Sequence, residues 1–272
     1  MQTKEINSVS NNLSGNFQSF SEIRKKDELC GLFNQATFLR SKEIDFINSL
    51  KLNVLSRSLE VGCGHGFITG ILADIFPDGM THGIDNSAEL IAIANQVVKK
   101  KHRNIDFFLG NACSLPFEEN TYDFVYGRML YQHLDDPLMA MKEARRVLRS
   151  RGKVCIVDID AGLQLMEPNC PAFDKLNDLA VEAQKKSGGD RFIGRKIPGI
   201  MKQAGFSKVE FKELTISSLD MRMEDYLNVT TRFKEMLIGT SEASELSNEI
   251  EIFCKKNEPF VLAGVIAVIG FV

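Results

Sequence analysis

Residues 59–66 read LEVGCGHG and place Gly62, Gly64 and Gly66 at alternate positions between two apolar runs. Glycine loses more backbone freedom on folding than any other residue, so three of them in one turn need a reason. A glycine-rich turn between a strand and a helix lets the backbone approach a ligand at the carboxyl edge of a sheet. Because the carboxylate of Glu60 stands just before the turn, the stretch predicts a binding loop for a small ligand.

The spacing of the glycines narrows the choice of ligand. The dinucleotide fingerprint is GxGxxG, whose third glycine permits close packing of the helix on the strand. Here the spacing is GxGxG, and the bulky Phe67 takes the place of that third glycine. A carboxylate at Glu60 is unfavourable beside a pyrophosphate but attracts an ammonium group. The loop therefore argues against a nicotinamide dinucleotide and for a ligand with an amino group.

Two later stretches indicate the remaining chemical groups of the ligand. HGIDNS places Asp85 at the end of a predicted strand, where a carboxylate can accept hydrogen bonds from both hydroxyls of a ribose. FLGNACSLPF places Asn111 after the next strand, where a polar side chain can meet the edge of an adenine. The combination describes an adenosine without phosphates joined to an amino acid, which is S-adenosylmethionine.

The elements that position these residues alternate along the chain. Apolar residues at helical spacing predict a helix after each strand; one begins at Asp136-Pro137 and is expected to end at Gly152. Strands that alternate with helices of 10–15 residues indicate a parallel, doubly wound sheet. The first five predicted strands are RSLEV, MTHGI, IDFFLG, YDFVYG and KVCIVDI.

The domain organisation follows from the rest of the chain. Residues 1–50 are predicted to form a flexible N-terminus and a helical lid, and residues 51–272 an α/β core with a helical insertion at 221–257. KVEFKEL and the final apolar run FVLAGVIAVIGFV would complete a seven-stranded, mostly parallel sheet. That final run has 13 residues, which is too short to span a bilayer.

Composition restricts the partners and the compartment. The net charge of −3 argues against a large electrostatic footprint for nucleic acid. The six cysteines form no CxxC pair and lack zinc-ligand spacing with the four histidines, so no metal site is predicted. Cysteines beside apolar runs are typical of reduced structural thiols, which predicts a reducing, cytoplasmic location.

The sequence resembles the class I S-adenosylmethionine-dependent methyltransferases, which have a Rossmann-like fold. The closest resemblance is to the small-molecule branch that includes ubiquinone/menaquinone-biosynthesis enzymes and many natural-product methyltransferases. The order and spacing of the matching stretches agree over about residues 57–160. These stretches are LEVGCGHG, GIDNSAELIAIA, FLGNACSLPFEENTYDFVYGRMLYQHLDDP and GKVCIVDID.

The resemblance implies which residues hold the methionine end of the cofactor. Glu60 and the loop of Gly62, Cys63 and Gly64 would bind it. Arg128, just past the fourth strand, would offer backbone atoms to the amino group. Gln35, in the N-terminal helical segment, would close over the carboxylate.

The resemblance also implies the adenosine site. Asp85 would bind the ribose, with Asn86 near the adenine, and Asn111 and Ala112 would contact the adenine amino group. The family usually has aspartate at position 111. Asparagine keeps an acceptor oxygen but loses the charge, so a lower cofactor affinity is expected.

Methyl transfer is an in-line displacement at a carbon activated by the sulfonium, so the protein has mainly to orient an acceptor and exclude water. A general base is required only if the acceptor must lose a proton. The catalytic candidates are His133 and Tyr131, which follow the fourth strand; a structural His133 that caps the following turn is the alternative. Asp158 and Asp160 follow the fifth strand and are either site or surface residues.

Other features bear on the acceptor. Arg191 and Arg195 in GGDRFIGRK would either bind an acidic substrate or begin an exposed helix. The fourth strand ends in YGRML rather than in the Asn/Asp-Pro-Pro-aromatic box of enzymes that methylate base amines. A small-molecule acceptor is therefore predicted, with its identity and the oligomeric state left open. Two alternatives remain: an S-adenosylmethionine-binding module without transferase activity, such as a scaffold or cyclase, and a nicotinamide-dependent oxidoreductase, which Phe67 disfavours.

Overall fold

A computed structural model of the protein describes residues 40–272. Most of the segment predicted to be a flexible N-terminus and helical lid, including Gln35, lies outside that range. Its last part is the helix α1 (Arg40–Ser49). Phe46 and Ile47 of α1 are buried against the sheet, so this helix is part of the described fold.

The main sheet has seven strands in the order β3-β2-β1-β4-β5-β10-β7. The first five strands of the chain pair in parallel, whereas β10 is antiparallel to both β5 and β7. This confirms the predicted seven-stranded, mostly parallel sheet. The strands are β1 (Ser58–Val61), β2 (Thr81–Asp85), β3 (Ile105–Leu109), β4 (Tyr122–Arg128), β5 (Leu148–Ile159), β7 (Lys208–Glu213) and β10 (Val265–Phe271).

Helices cover both faces of this sheet. Alternate residues of β4 point to opposite cores: Val125 packs in one, and Phe124 and Tyr126 in the other, as the two-residue period of a strand requires. The helices are α2 (Phe67–Ile75), α3 (Ala88–Val97), α4 (Pro137–Val147), α5 (Pro171–Lys186), α6 (Ile193–Gln203), α7 (Met223–Ile238) and α8 (Ser241–Asn257).

Helix α4 begins as predicted but ends earlier. The Asp136 carboxylate caps it by accepting a hydrogen bond from the Met139 N–H at 2.9 Å, and Pro137 is its first residue. The helix stops at Val147 rather than at Gly152, because Leu148 already pairs with Tyr122 of β4. Gly152 therefore lies inside β5.

A second, smaller sheet has the order β6-β9-β8 and packs with α5, α7 and α8 around a third core. Its strands are β6 (Leu165–Glu167), β8 (Ile216–Ser217) and β9 (Phe260–Ala263). The final apolar run is thus two strands in two sheets, divided at Gly264. A Cβ at Gly264 would lie 2.2 Å from the Leu163 Cβ, so only glycine fits where the sheets diverge.

The predicted insertion at 221–257 is present as α7 and α8, which follow β8 and precede β9. Within this insertion, α7 forms part of the wall of a cavity at the carboxyl edge of the main sheet. None of the helices found in residues 40–272 combines the length and the apolar composition that crossing a membrane demands.

Candidate active site

The glycine loop joins β1 to α2 in a backbone conformation that side chains rarely adopt. Gly62, Gly64 and Gly66 have φ angles of 74°, 51° and 80°, all in the left-handed region. A Cβ at Gly62 would lie 2.8 Å from Leu130 Cδ1, and one at Gly66 2.5 Å from Phe107 Cζ. At Gly64 nothing lies within 4 Å. The outer glycines thus permit close packing, whereas Gly64 leaves the loop backbone open towards a ligand.

A cavity of about 610 Å³ lies between this loop and α7. Its volume is within the range of about 300–1,000 Å³ that is typical of small-molecule sites. It is lined by the loop, the ends of β1, β2 and β4, and residues of α7 between 228 and 237. Seven residues predicted to bind the cofactor line it: Glu60, Gly62, Cys63, Gly64, Asp85, Asn86 and Arg128.

Glu60 is a buried carboxyl group at the floor of the cavity. Its exposed fraction is 2%, and its Oε2 accepts a hydrogen bond from the Thr69 hydroxyl at 2.5 Å. Burial raises the pKa of Glu60 to about 8, although the Thr69 bond and the charge of Arg128 lower it. A cationic group placed beside Glu60 would favour its ionised form.

Asp85 braces the glycine loop from the end of β2. Its Oδ2 accepts from the Gly64 N–H and its Oδ1 from the Ser87 N–H, both at 2.9 Å. Each carboxylate oxygen accepts more than one hydrogen bond, so both retain capacity for hydroxyl donors in the cavity. Asp85 therefore holds the loop and presents acceptors at the same time.

A buried ion pair that the sequence analysis missed connects α1 to the site. Arg128 Nε donates to Glu43 Oε1 at 2.8 Å and Oε2 at 3.1 Å, and the Tyr126 hydroxyl donates to the same Oε1 at 2.8 Å. The side chains of Glu43 and Arg128 are only 3% and 8% exposed. Glu43 precedes the buried Phe46 and Ile47 by three and four residues, a helical spacing that would have placed it on the buried face.

Asn111 and Ala112 lie beyond the end of β3 and do not line the cavity. The Asn111 Oδ1 accepts a hydrogen bond from the Cys113 N–H at 2.8 Å, which commits that oxygen to a local turn. Asn86 does line the cavity, beside Asp85. Contact of Asn111 and Ala112 with an adenine stays a prediction.

Tyr131 is placed in the core rather than in the site. Its exposed fraction is 1%, and its hydroxyl donates to Met141 Sδ at 3.9 Å. Burial raises the pKa of Tyr131, and Tyr131 does not line the cavity. A catalytic Tyr131 stays a prediction, which this burial does not favour.

His133 lines the cavity, two residues further along the same short 3₁₀ turn. The Gln184 amide nitrogen lies 3.0 Å from His133 Nδ1 and 3.2 Å from the Gln132 carbonyl oxygen. A carbonyl oxygen can only accept, so the Gln184 atom that faces Gln132 is the amide nitrogen. This nitrogen also donates to His133 Nδ1, which therefore carries no proton. The imidazole proton is then on Nε2. Desolvation and the charge of Arg191 lower the pKa of His133. His133 is thus a neutral donor from Nε2.

The two aspartates after β5 have different surroundings. Asp160 is buried and forms two bonds with the guanidinium of Arg195, whose side chain is 51% exposed and does not line the cavity. Asp158 accepts from the backbone N–H groups of Gln132 and Ile159 at 3.2 and 2.9 Å. Burial raises the pKa of Asp158 to about 7.

Arg191 and Lys234 are buried and also line the cavity. Arg191 is among the residues predicted from the sequence, whereas Lys234 is not. Lys234 follows the buried Tyr226 and Leu227 by eight and seven residues, so helical spacing alone would have placed it on the buried face of α7. Among residues 40–272, no group of His, Cys, Asp and Glu side chains is arranged to hold a metal ion.

The sequence of this chain is similar to those of known proteins. Residues 59–156 match a family model described as a methyltransferase domain. An uncharacterized methyltransferase of Schizosaccharomyces pombe is 32% identical over 153 residues, which are 53% of this chain and 54% of that protein. A demethylmenaquinone methyltransferase of a Geobacillus species is 26% identical over 220 residues, 75% of this chain and 93% of the relative. The chain thus spans about half of the first relative and nearly all of the second.

Solved structures share the fold. The [4+2]-cyclase SpnF superposes with a TM-score of 0.57 at 18% identity, covering 85% of this chain and 80% of that one. Phosphoethanolamine N-methyltransferase 2 of Haemonchus contortus, solved with S-adenosyl-L-methionine, has a TM-score of 0.53 at 20% identity, covering 79% of this chain and 48% of that one.

Proposed function

Since residues 59–156 match a methyltransferase domain, we propose that the chain is a methyltransferase that transfers a methyl group from S-adenosylmethionine to a small-molecule acceptor. The observation that carries the proposal is one cavity that joins the open glycine loop, Glu60 and Asp85 to the wall formed by α7. Cofactor and acceptor would share this cavity.

The residues present fit S-adenosylmethionine. The open backbone at Gly64 leaves room for the methionine end, and the Glu60 carboxylate would pair with its ammonium group. Asp85 would accept hydrogen bonds from the ribose hydroxyls, and Asn86 lies beside it. When bound there, the cofactor supplies an electrophilic methyl group on a sulfonium.

The acceptor side of the cavity would exclude water and orient the nucleophile. Phe233 and Leu237 of α7 and Leu130 after β4 contribute apolar surface to the wall. Orientation and desolvation are the main requirements of a methyl transfer whose electrophile is already activated. The names of the relatives support a small-molecule acceptor, since they include a demethylmenaquinone methyltransferase and an O-methyltransferase.

The full chain is expected to bind S-adenosylmethionine and S-adenosylhomocysteine, and to bind NAD at least about tenfold more weakly, a difference of about 1.4 kcal/mol. The physical reason is Glu60, which ionises beside an ammonium group and pairs with it, whereas a pyrophosphate gains no such partner. Isothermal titration calorimetry with the three compounds measures this. NAD binding without a response to either adenosyl compound would contradict the proposal, and labelled cofactor with a metabolite extract would separate transfer from binding alone.

We propose that His133 orients the acceptor and is not a general base, because its Nδ1 accepts from Gln184 and its Nε2 already carries a proton. The His133→Asn variant is then expected to lose less than about tenfold in turnover, whereas loss of a general base costs about 10²–10⁴-fold. Turnover of the wild type should show no acid limb from His133 near its ordinary pKa of about 6.5. The pH–rate profiles of both forms, measured at saturating cofactor, check this; a limb that the substitution removes would restore the base role.

We also propose a reducing, cytoplasmic location and a division into a lid at residues 1–50 and a catalytic core at 51–272. Support for the location is that the five cysteines in the described part of the chain form no disulfide bonds.

Support for the lid is that α1, at the end of this segment, contacts the site through Glu43. Limited proteolysis with and without S-adenosylhomocysteine tests the lid, which predicts slower cleavage before residue 50 when ligand is bound.

A further inference from the structure

One wall of the cavity carries positive charge. Arg191 and Lys234 both line the cavity and are 4% and 2% exposed. They lie close enough for the charge of Arg191 to lower the pKa of Lys234, which burial already lowers well below its ordinary value. Burial of two basic groups whose charges influence each other costs stability in the absence of a ligand.

Arg191 has unused donors. Its Nη1 is buried and has no hydrogen-bond partner among the described residues. Arg195, four residues later, shows the contrast, since its guanidinium is paired with Asp160. Buried donors in folded proteins are nearly always paired, and an unpaired buried guanidinium is especially costly. The exception at Arg191 therefore needs an explanation, and a ligand provides one.

Asp158 does not provide the missing partner. Its charge raises the pKa of Arg191, but burial outweighs this and lowers that pKa to about 10. The oxygens of Asp158 accept hydrogen bonds from the backbone N–H groups of Gln132 and Ile159, and burial raises its own pKa to about 7. Asp158 is thus a backbone-bonded group that attracts Arg191 without a direct contact to it.

Lys234 is held by neutral groups. Its Nζ donates to Gln164 Oε1 at 2.9 Å and to Asn177 Oδ1 at 2.5 Å, and it lies 5.1 Å from the centre of the Phe173 ring. An ammonium has three donors, so one remains. These neutral contacts fix the position of Lys234 and supply no negative charge to pair with it.

We propose that the methyl acceptor carries an oxyanion, a carboxylate or a phosphate monoester, which binds to Arg191 with Lys234 as a second donor. The fork of a guanidinium matches both oxyanions bidentately. His133 lines the same cavity, and its Nε2–H is an additional, neutral donor. The proposal rests on the proposed function, since it assigns the acceptor's anion to residues that line the same cavity.

The test uses the full chain with and without saturating S-adenosylhomocysteine, and three probes of similar shape: benzoate, phenyl phosphate and the uncharged benzamide. At least one oxyanion is expected to raise the melting midpoint and to give a calorimetric binding signal, and benzamide is not. Benzoate against phenyl phosphate distinguishes a carboxylate site from a phosphate site. No response to either oxyanion, or an equal response to benzamide, would overturn the proposal.

Arg191→Met is the matched variant. It is expected to weaken oxyanion binding at least tenfold, to leave S-adenosylhomocysteine binding unchanged, and to raise the midpoint of the ligand-free protein by about 2 °C or more, because it removes a buried unpaired charge. A structural arginine would give the opposite result, a lower midpoint with the oxyanion response retained. Should this variant not fold, Arg191→Lys keeps the charge but not the fork and should also weaken the oxyanion response.

The control is Arg195→Met, which removes the exposed partner of Asp160 and should leave the oxyanion response as in the wild type. Equal losses in the Arg191 and Arg195 variants would overturn the assignment. If the wild type binds an oxyanion but not S-adenosylhomocysteine, the proposed function fails while the anion site stands. The reverse result leaves the methyltransferase and removes the anion site.

Discussion

Replacing Glu43 by alanine is expected to lower the free energy of unfolding by about 3–5 kcal/mol, the usual cost of removing one partner from a buried ion pair. Glu43 accepts from Arg128 Nε and from the Tyr126 hydroxyl; Arg128 lines the cavity and Tyr126 is buried. Without the carboxylate, a buried cation and a buried hydroxyl lose this acceptor. Urea unfolding of wild type and variant, followed by circular dichroism, measures the difference.

Two controls separate the charge from the helix. Glu43→Gln keeps an acceptor oxygen without the charge and should lose less than Glu43→Ala. Lys42→Ala, on the same turn of α1, removes an ion pair with Asp220 whose side chains are 41% and 37% exposed, so its cost should stay below about 1 kcal/mol. Equal losses in the free energy of unfolding for Lys42→Ala and Glu43→Ala would contradict the prediction, because they would show that stability depends on α1 as a whole and not on its buried ion pair.

The Asp85→Ala variant is expected to bind S-adenosylmethionine about 10²-fold more weakly. Hydrogen bonds to a charged group are worth about 1.5–3 kcal/mol each, although not additively, and two ribose hydroxyls would lose their acceptor. The variant also frees the Gly64 N–H, which Asp85 holds at 2.9 Å. Calorimetry with S-adenosylhomocysteine gives the affinity of the folded variant.

A ligand pair distinguishes a ribose contact from loop bracing. Wild type should prefer adenosine to 2′,3′-dideoxyadenosine, and Asp85→Ala should lose that preference, because the lost hydroxyls are the groups that Asp85 would bind. Asp106→Ala is the control, since Asp106 lies on the next strand and pairs with Lys99 at the surface. Retained discrimination in Asp85→Ala would reassign Asp85 to the loop alone.

The sheet and the two carboxylates at its carboxyl edge could be predicted because their signals are local. Strands buried on both faces read as continuous apolar runs such as KVCIVDI, and the glycine loop marks where β1 ends. Glu60 and Asp85 stand at strand ends, so the position of the strand places the carboxylate at the carboxyl edge.

The rest of the cavity lining could not be predicted, because its residues meet only through tertiary packing. Tyr131 and His133 are two residues apart, and a single 3₁₀ turn sends the first into the core and the second to the cavity. Arg191 and Lys234 belong to different segments whose approach depends on how α7 packs on α5. A general expectation that charged residues are exposed gives the wrong answer for both.

The position of β10 between β5 and β7 has a consequence for how the chain folds. Within residues 40–272, β7 pairs with β10 alone, so no sheet hydrogen bond can hold residues 208–213 until residues 265–271 have arrived. Pairings between such distant segments are slow to form, because a long loop must close first. Until then β5 presents an unpaired edge, where another chain can add a strand. The step that inserts β10 is therefore also the step that covers the edge of β5.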